Sequence, residues 1–258
     1  MVKRARFAID KCFYVTTRSF MAQPKPLRKI GELEAVEIPG QPGGFGIAVF
    51  HGYGADALDL VSLSHLLSPP PGTTWLFPNG PLRINEGGVN GRAWFPIDAQ
   101  ALQMAAMAGT FVDFSKITPS GFKQARAAAL SMLEAAHLPL SKTILMGFSQ
   151  GAMLATDIAL RSDEKPLALV ILSGALINKD IWREKAPTKV GMPFFQSHGD
   201  ADPLLSFQFA QDLEKFLVSS GLKGQLHGFH GGHEIPQEII YKLNQFFKGV
   251  FASPRERQ

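Results

Sequence analysis

The sequence predicts an α/β fold, a mostly parallel central sheet with helices on both faces. Three observations point to it. From about residue 34, short apolar runs alternate with helix-like segments. The later runs are apolar almost without interruption, as strands covered on both sides must be. Thr143–Met146 also passes through Gly147-Phe148-Ser149-Gln150-Gly151 into AMLATDIAL (residues 152–160), which contains neither Gly nor Pro. A strand, a tight turn and a helix follow one another there with no linker.

Taken in order, residues 22–31 (AQPKPLRKIG) read as a Pro-containing linker. Strands are expected at Glu34–Ile38, Gly46–Phe50, Thr73–Phe77, Thr143–Met146, Leu167–Leu172, Pro193–Ser197 and Gln225–Phe229. Each is a short apolar or β-branched run bounded by turn formers. Helices are expected at Leu58–Leu67, Ser120–Ala136, Gln150–Arg161, Ser206–Ser219 and Gln237–Phe247, where composition is helical and Gly and Pro are scarce. Residues 78–118 depart from this rhythm. They are rich in Gly, Pro and Asn and then carry the apolar stretch Ala101–Phe114. Long excursions of this kind often carry binding function. Met104, Met107 and Phe111 fall at helical spacing within it, which fits core packing, the lining of an acyl pocket or a small lid.

A chain of 258 residues can bury a sizeable single core, and 45% hydrophobic with 19% charged residues is a globular composition. The expected organisation is a basic extension over residues 1–33, one domain over 34–250 and a tail over 251–258. The basic character is local. Residues 1–30 hold eight Lys or Arg and one Asp, against 18 basic and 21 acidic residues in the rest. The body is therefore mildly acidic, and nothing interleaves basic and aromatic side chains as a nucleic-acid surface would. No apolar run is long enough to span a bilayer. Cys12 is the only cysteine, so no intrachain disulfide forms, which suits a reducing cytoplasmic setting. The acid-poor N-terminus leaves organellar targeting open, and Met21 is an alternative start. Transient lipid contact and a monomeric or dimeric state are also left open.

The Gly147–Gly151 turn is the layout of a nucleophile elbow, which strains the backbone at Ser149 and points a helix N-terminus at it. A tight turn whose Ser only caps the helix is the plainer alternative. A serine nucleophile needs a base, and the base needs a third group to fix its tautomer. The acid is sought in His198-Gly199-Asp200-Ala201-Asp202-Pro203, where Pro203 keeps Asp202 out of a helix. Asp202 is preferred and Asp200 is its rival. The base is sought in His227-Gly228-Phe229-His230-Gly231-Gly232-His233. His233 follows a Gly-Gly turn at a strand's C-terminal end and is preferred over His230. His51, His65, His137 and His198 read as structural. Oxyanion donors are expected at the amides of Gln150 and of Tyr53, in the Gly-punctuated turn His51-Gly52-Tyr53-Gly54. Two other classes compete: a metal-dependent hydrolase built on the His and Asp clusters, and a non-catalytic acyl-ligand-binding protein.

Together these pieces resemble the phospholipase/carboxylesterase family of α/β-hydrolases, which includes acyl-protein thioesterases. The matching segments are His51-Gly52-Tyr53-Gly54, Phe77-Pro78-Asn79, Arg92-Ala93-Trp94-Phe95, Gly147-Phe148-Ser149-Gln150-Gly151, Leu172-Ser173-Gly174, His198-Gly199-Asp200-Ala201-Asp202-Pro203 and Gly232-His233-Glu234-Ile235, spread over roughly residues 34–249. The resemblance implies an α/β-hydrolase fold with no large cap domain and a Ser149, Asp202, His233 triad with oxyanion amides at Tyr53 and Gln150. It also implies hydrolysis of small-molecule carboxylic esters or thioesters with no cofactor and no metal. Trp94, Phe95, Met104, Met107 and Phe111 are candidates for the substrate pocket. Tyr53 stands where family members usually carry a smaller aliphatic residue, and Pro96 interrupts the stretch after Trp94-Phe95.

Overall fold

The computed structural model describes residues 26–86 and 89–252. Residues 1–25, with Cys12, Met21 and most of the basic extension, lie outside the described residues, as do 253–258 of the expected C-terminal tail. In chain order the elements are β1 (Arg28–Ile30), β2 (Leu33–Ile38), β3 (Gly46–Phe50), α1 (Leu63–Leu66), β4 (Thr74–Pro78), β5 (Leu82–Glu86), β6 (Val89–Ala93), α2 (Ala99–Met107), α3 (Phe122–Ala135), β7 (Thr143–Phe148), α4 (Gln150–Arg161), β8 (Ala168–Leu172), α5 (Lys179–Lys185), β9 (Pro193–Gly199), α6 (Phe207–Ser219), β10 (Lys223–Phe229) and α7 (Gln237–Phe251).

Eight strands form one sheet in the order β1-β2-β4-β3-β7-β8-β9-β10, while β5 and β6 pair as a separate hairpin. From β4 to β10 every neighbour is parallel, and β1 and β2 join antiparallel at one edge. The central strands divide their side chains by the two-residue period of a strand. Ala48, Phe50, Leu145, Leu169, Ile171 and Phe194 pack with α3, α4, α5 and α6. Their neighbours Ile47, Val49, Ile144, Met146, Val170 and Phe195 pack with α1 and α7. Two cores, one on each face, explain why these strands had to be apolar throughout. Each fully buried side chain of this size contributes about 1.5–3 kcal/mol.

The strands and helices expected from the sequence are present, with four differences. Arg28–Ile30 is a strand paired with β2, although those residues read as linker. Of the helix expected over Leu58–Leu67, only Leu63–Leu66 is α-helical. The stretch before it is a run of turns with bonds such as Asp59 N–H to Asp56 O and Val61 N–H to Leu58 O. Two of its amides are committed elsewhere: Ala57 donates to Asn79 Oδ1 and Leu58 to Asp56 Oδ1. The β5–β6 hairpin and α5 were not foreseen. Within residues 78–118 the first half of the apolar stretch forms a helix, α2, whose Ala101 amide is capped by Asp98 Oδ1; it ends at Met107, so Phe111 lies beyond it and does not share its face with Met104 and Met107.

α4, which carries the elbow, is fixed at mid-length by a buried carboxylate. Asp157 is fully buried. It accepts from Trp182 Nε1 at 2.8 Å and Arg126 Nη1 at 3.0 Å, with Arg161 at 3.7 Å. These bonds tie α4 to α3 and α5. At the far edge of the sheet the β10 amide of Leu226 is occupied by Glu214 Oε1 from α6, at 2.7 Å. Among the described residues, no helix is long and apolar enough to cross a membrane. Replacing Asp157 by Ala strands two cationic or N–H donors in the core. The expected loss is about 3–5 kcal/mol, read as a lower urea midpoint with an unchanged m-value.

Candidate active site

The turn between β7 and α4 places Ser149 at φ 54° and ψ −118°, a conformation L-residues rarely adopt. Such strain costs about 1–3 kcal/mol and persists only when its surroundings impose it. Here Ser149 N–H donates to Leu172 O at 2.9 Å, and Ser149 O accepts from Ala152 and Met153. The flanking glycines answer a packing demand. A Cβ on Gly147 would lie 2.2 Å from Gly151 O, and one on Gly151 would lie 2.1 Å from Phe50 O and 2.5 Å from His51 O. The backbone of the elbow thus rests directly on the end of β3. Ser149 is half-buried, and Gln150, which follows it, opens α4 with the helix's first amide.

The loop after β9 carries Asp202, and the loop after β10 carries His233. Asp202 Oδ2 accepts from His233 Nδ1 at 2.6 Å, and both side chains are largely enclosed. A carboxylate can only accept, so Nδ1 holds the proton and Nε2 is the nitrogen left for other work. The His233 ring packs on Phe148, the residue before Ser149, with centroids 4.8 Å apart. Leu204 and Leu205 donate their amides to Asp202 Oδ1. His198, fully buried, donates from Nε2 to Leu205 O at 2.8 Å and lies 3.3 Å from Asp202 Oδ2. Burial pushes the Asp202 pKa up, but hydrogen bonds from His198, His233 and the Leu205 amide, with the charge of His233, outweigh it. The carboxyl is held well below the usual range.

The rivals form a pair of their own at the surface. His230 Nδ1 lies 3.3 Å from Asp200 Oδ2, with the His230 side chain 94% exposed. His227 stacks on Phe195 at 4.6 Å. The three histidines of the His227–His233 segment therefore point to three different places. Among the described residues, no three His, Cys, Asp or Glu side chains are grouped as a metal site.

The loop His51–Ala57 passes directly beside the elbow: a Cβ on Gly52 would lie 3.5 Å from Ser149 Cβ. Tyr53 is next in this loop and half-buried. The loop is gripped from several sides. Asn79 Oδ1 holds the Ala57 amide, and Gly54 N–H donates to Arg92 O while Arg92 N–H donates to Ala55 O, laying β6 along it. Gly91 is demanded there, since its Cβ would lie 1.9 Å from Gly54 O. His51 donates from Nδ1 to Gly52 O at 2.7 Å and accepts at Nε2 from the Gly80 amide at 2.9 Å, which fixes one neutral tautomer. Burial lowers its pKa to about 4.

The pocket candidates divide. Trp94 and Phe95 are 1% and 0% exposed, so they lie in the core behind the site and do not line a cleft. The indole donates to His51 O at 2.8 Å. Met104 and Met107 on α2 are 70% and 77% exposed, which sets aside the core reading for them, and Phe111 is half-exposed. A cleft of about 810 Å³ is lined by Phe114, the last residue of the Ala101–Phe114 stretch, and by Ala175, Leu176, Phe209 and Phe216 with Lys116 and Lys179, none of which was among the pocket candidates. His51 and His198, read from the sequence as structural, are both buried and hydrogen-bonded, but the partners they hold, and the grip of Asn79 on the Ala57 amide, had not been foreseen. The clue for His198 was its place four residues before Asp202 in one motif.

A doubly covered parallel sheet with a strained serine at a strand-to-helix turn, and an acid–imidazole pair on the last two strand-end loops, is the architecture of an α/β-hydrolase. The model of the phospholipase/carboxylesterase family matches residues 32–250, and the chain belongs to that family. It is 32% identical over 184 residues to acyl-protein thioesterase 1 of Kluyveromyces lactis, covering 69% of this chain and 78% of that one. It is 27% identical over 239 residues to acyl-protein thioesterase 1 of Candida albicans, covering 84% and 98%. Among solved structures, esterase PE8 superposes with a TM-score of 0.69 at 25% identity, covering 85% of this chain and 99% of that one. The protein is thus a hydrolase of the carboxylesterase and acyl-protein thioesterase type.

The His51 lock makes stability sensitive to acid. An unfolded histidine titrates near ~6.5, whereas His51 in the fold titrates near about 4. Above that window both states are neutral. Within it the unfolded chain takes up a proton that the fold refuses, so stability falls as pH falls, levelling off after a loss of roughly 3 kcal/mol. Denaturant titrations at pH 7 and pH 4 should show this loss, and His51→Asn should lessen the pH dependence by about one proton.

Proposed function

We propose that the protein cleaves esters or thioesters through an acyl-enzyme on Ser149. His233 takes the hydroxyl proton at Nε2 as Ser149 Oγ attacks the carbonyl carbon. Asp202 holds the Nδ1–H and balances the imidazolium charge. The amides of Tyr53 and Gln150 receive the oxyanion, aided by the N-terminus of α4. Collapse of the tetrahedral intermediate breaks the bond to the alcohol or thiol, which leaves with the proton from His233. A water then repeats the sequence and frees the acid.

The observation that carries this reading is the enclosed Asp202–His233 bond with the imidazole seated on Phe148, one residue from a serine in elbow geometry. The loop contact of Gly52 with Ser149 supports Tyr53 as the second amide. The relatives named for protein thioesters favour a thioester substrate on a protein or a similarly large leaving group.

Ser149→Ala should fold normally and lose about 10⁴-fold or more in kcat on ester and thioester substrates alike. A folded variant that keeps parental turnover would remove Ser149 from the role. Asp202→Asn should cost about 10³–10⁴-fold through the wrong imidazole tautomer. Labelling by a fluorophosphonate should fall with it, measured against a protein of unchanged circular dichroism.

A further inference from the structure

Gln150 does more than contribute an amide. Its side chain is buried at 1% exposure. Oε1 accepts from Trp94 N–H at 2.9 Å, and Nε2 donates to Phe95 O at 2.7 Å. It thereby bonds residues 94 and 95 as a neighbouring strand would. Trp94 in turn donates its indole Nε1–H to His51 O, and its ring lies 5.1 Å from the His51 ring. His51 grips the carbonyl of Gly52, which belongs to the same planar peptide as the Tyr53 N–H. An unbroken run of bonds therefore leads from the residue bearing one oxyanion amide to the peptide bearing the other.

We propose that Trp94 and Gln150 are positioning residues, a clamp that sets the separation and direction of the Tyr53 and Gln150 amides. This rests on the serine-hydrolase reading above. The clamp is built from side chains buried in the core behind the site, so its contribution lies in geometry. A preorganised donor must stand within a few tenths of an ångström of where the oxyanion forms, and a displacement near 1 Å can cost about 10²-fold. The covalent step it serves is balanced: Ser149 Oγ bonds to the carbonyl carbon, the carbonyl π pair becomes the oxyanion, and the hydroxyl proton passes to His233.

The test uses the full chain with p-nitrophenyl butanoate and a trifluoromethyl ketone, whose hemiketal oxyanion occupies the same two amides. Trp94→Phe keeps the ring and removes the indole donor, and Gln150→Met keeps length and removes both bonds. Each folded variant should lose about 10- to 100-fold in kcat with KM within about threefold, and should bind the ketone more weakly by a matching factor. Affinity for the butanoate product should stay level. A merely structural role would lower the melting temperature without moving the ketone affinity of the folded protein. The double variant should lose no more than the worse single one, because both cut the same clamp. If Trp94→Phe does not fold, Gln150→Met carries the test. Parental kcat and ketone affinity in a folded variant, or losses that multiply in the double variant, would overturn the clamp. Ser149→Ala separates the two ideas. If it stays active, the serine reading itself falls. If it is inactive while Trp94→Phe turns over like the parent, only the clamp falls.

Discussion

The contact on which the site depends is main chain against main chain. Gly151 lies so close to the carbonyls of Phe50 and His51 that a single added carbon would overlap them. No side chain can move aside to relieve such a clash. The contact is possible because β3 and β7 are parallel neighbours with Phe50 level with Gly147, so both strands end at the same height. From that shared end one chain turns into α4 and the other into the His51–Ala57 loop. Strand register is thereby converted into the spacing between a nucleophile and the loop beside it. The strain at Ser149 is offset by the apolar burial on both faces of the sheet, which exceeds it many times over.

The electrostatics follow the same logic of enclosure. A carboxylate as buried as Asp202 would become a neutral acid if left alone. Two histidines and two amides instead surround it with donors, and the ionised form wins. Asp200, two residues earlier, has a comparable partner in His230, but water reaches both. Bonds of that kind on a surface contribute little, because solvent competes for both ends. The two Asp–His pairs are chemically alike and differ in burial, and burial separates a group able to tune an imidazole from a turn ornament.

Much of this was legible before any coordinates. The doubly apolar runs at Ile47–Phe50, Ile144–Met146 and Ala168–Leu172 announced covered strands, since no other placement hides both of their faces. Pro203 and the Gly231-Gly232 pair marked strand-end loops at Asp202 and His233, and the structure brings those two residues together. The Gly-punctuated turn at His51–Gly54, which the structure lays beside Ser149, was legible from its glycines. Other features were not, because they depend on contacts distant in sequence. The β5–β6 hairpin has polar, weakly patterned strands whose partner is the loop at Gly54, and nothing local signals that pairing. Of the helix expected over Leu58–Leu67 only the last turn is α-helical; the residues before it close i→i+3 turns, and their chain is anchored just upstream by Asn79, 22 residues away, at the Ala57 amide. Trp94 and Phe95 read as pocket residues because exposed aromatics and buried ones look identical in a string of letters. Their role emerged only when the side chain of Gln150 was seen to bond their backbone.

The outermost strand has a consequence for the molecule in a crowded solution. β10 is the last strand of the sheet, and bare strand edges invite other chains to add to them. The carboxylate of Glu214 occupies one of its outward-facing amides, at Leu226. A newcomer seeking to zip onto this margin meets a negative charge where it needs an unoccupied donor. The fold thus carries its own guard against polymerising through its rim, made from one acidic residue on a helix whose main task is to cover the core.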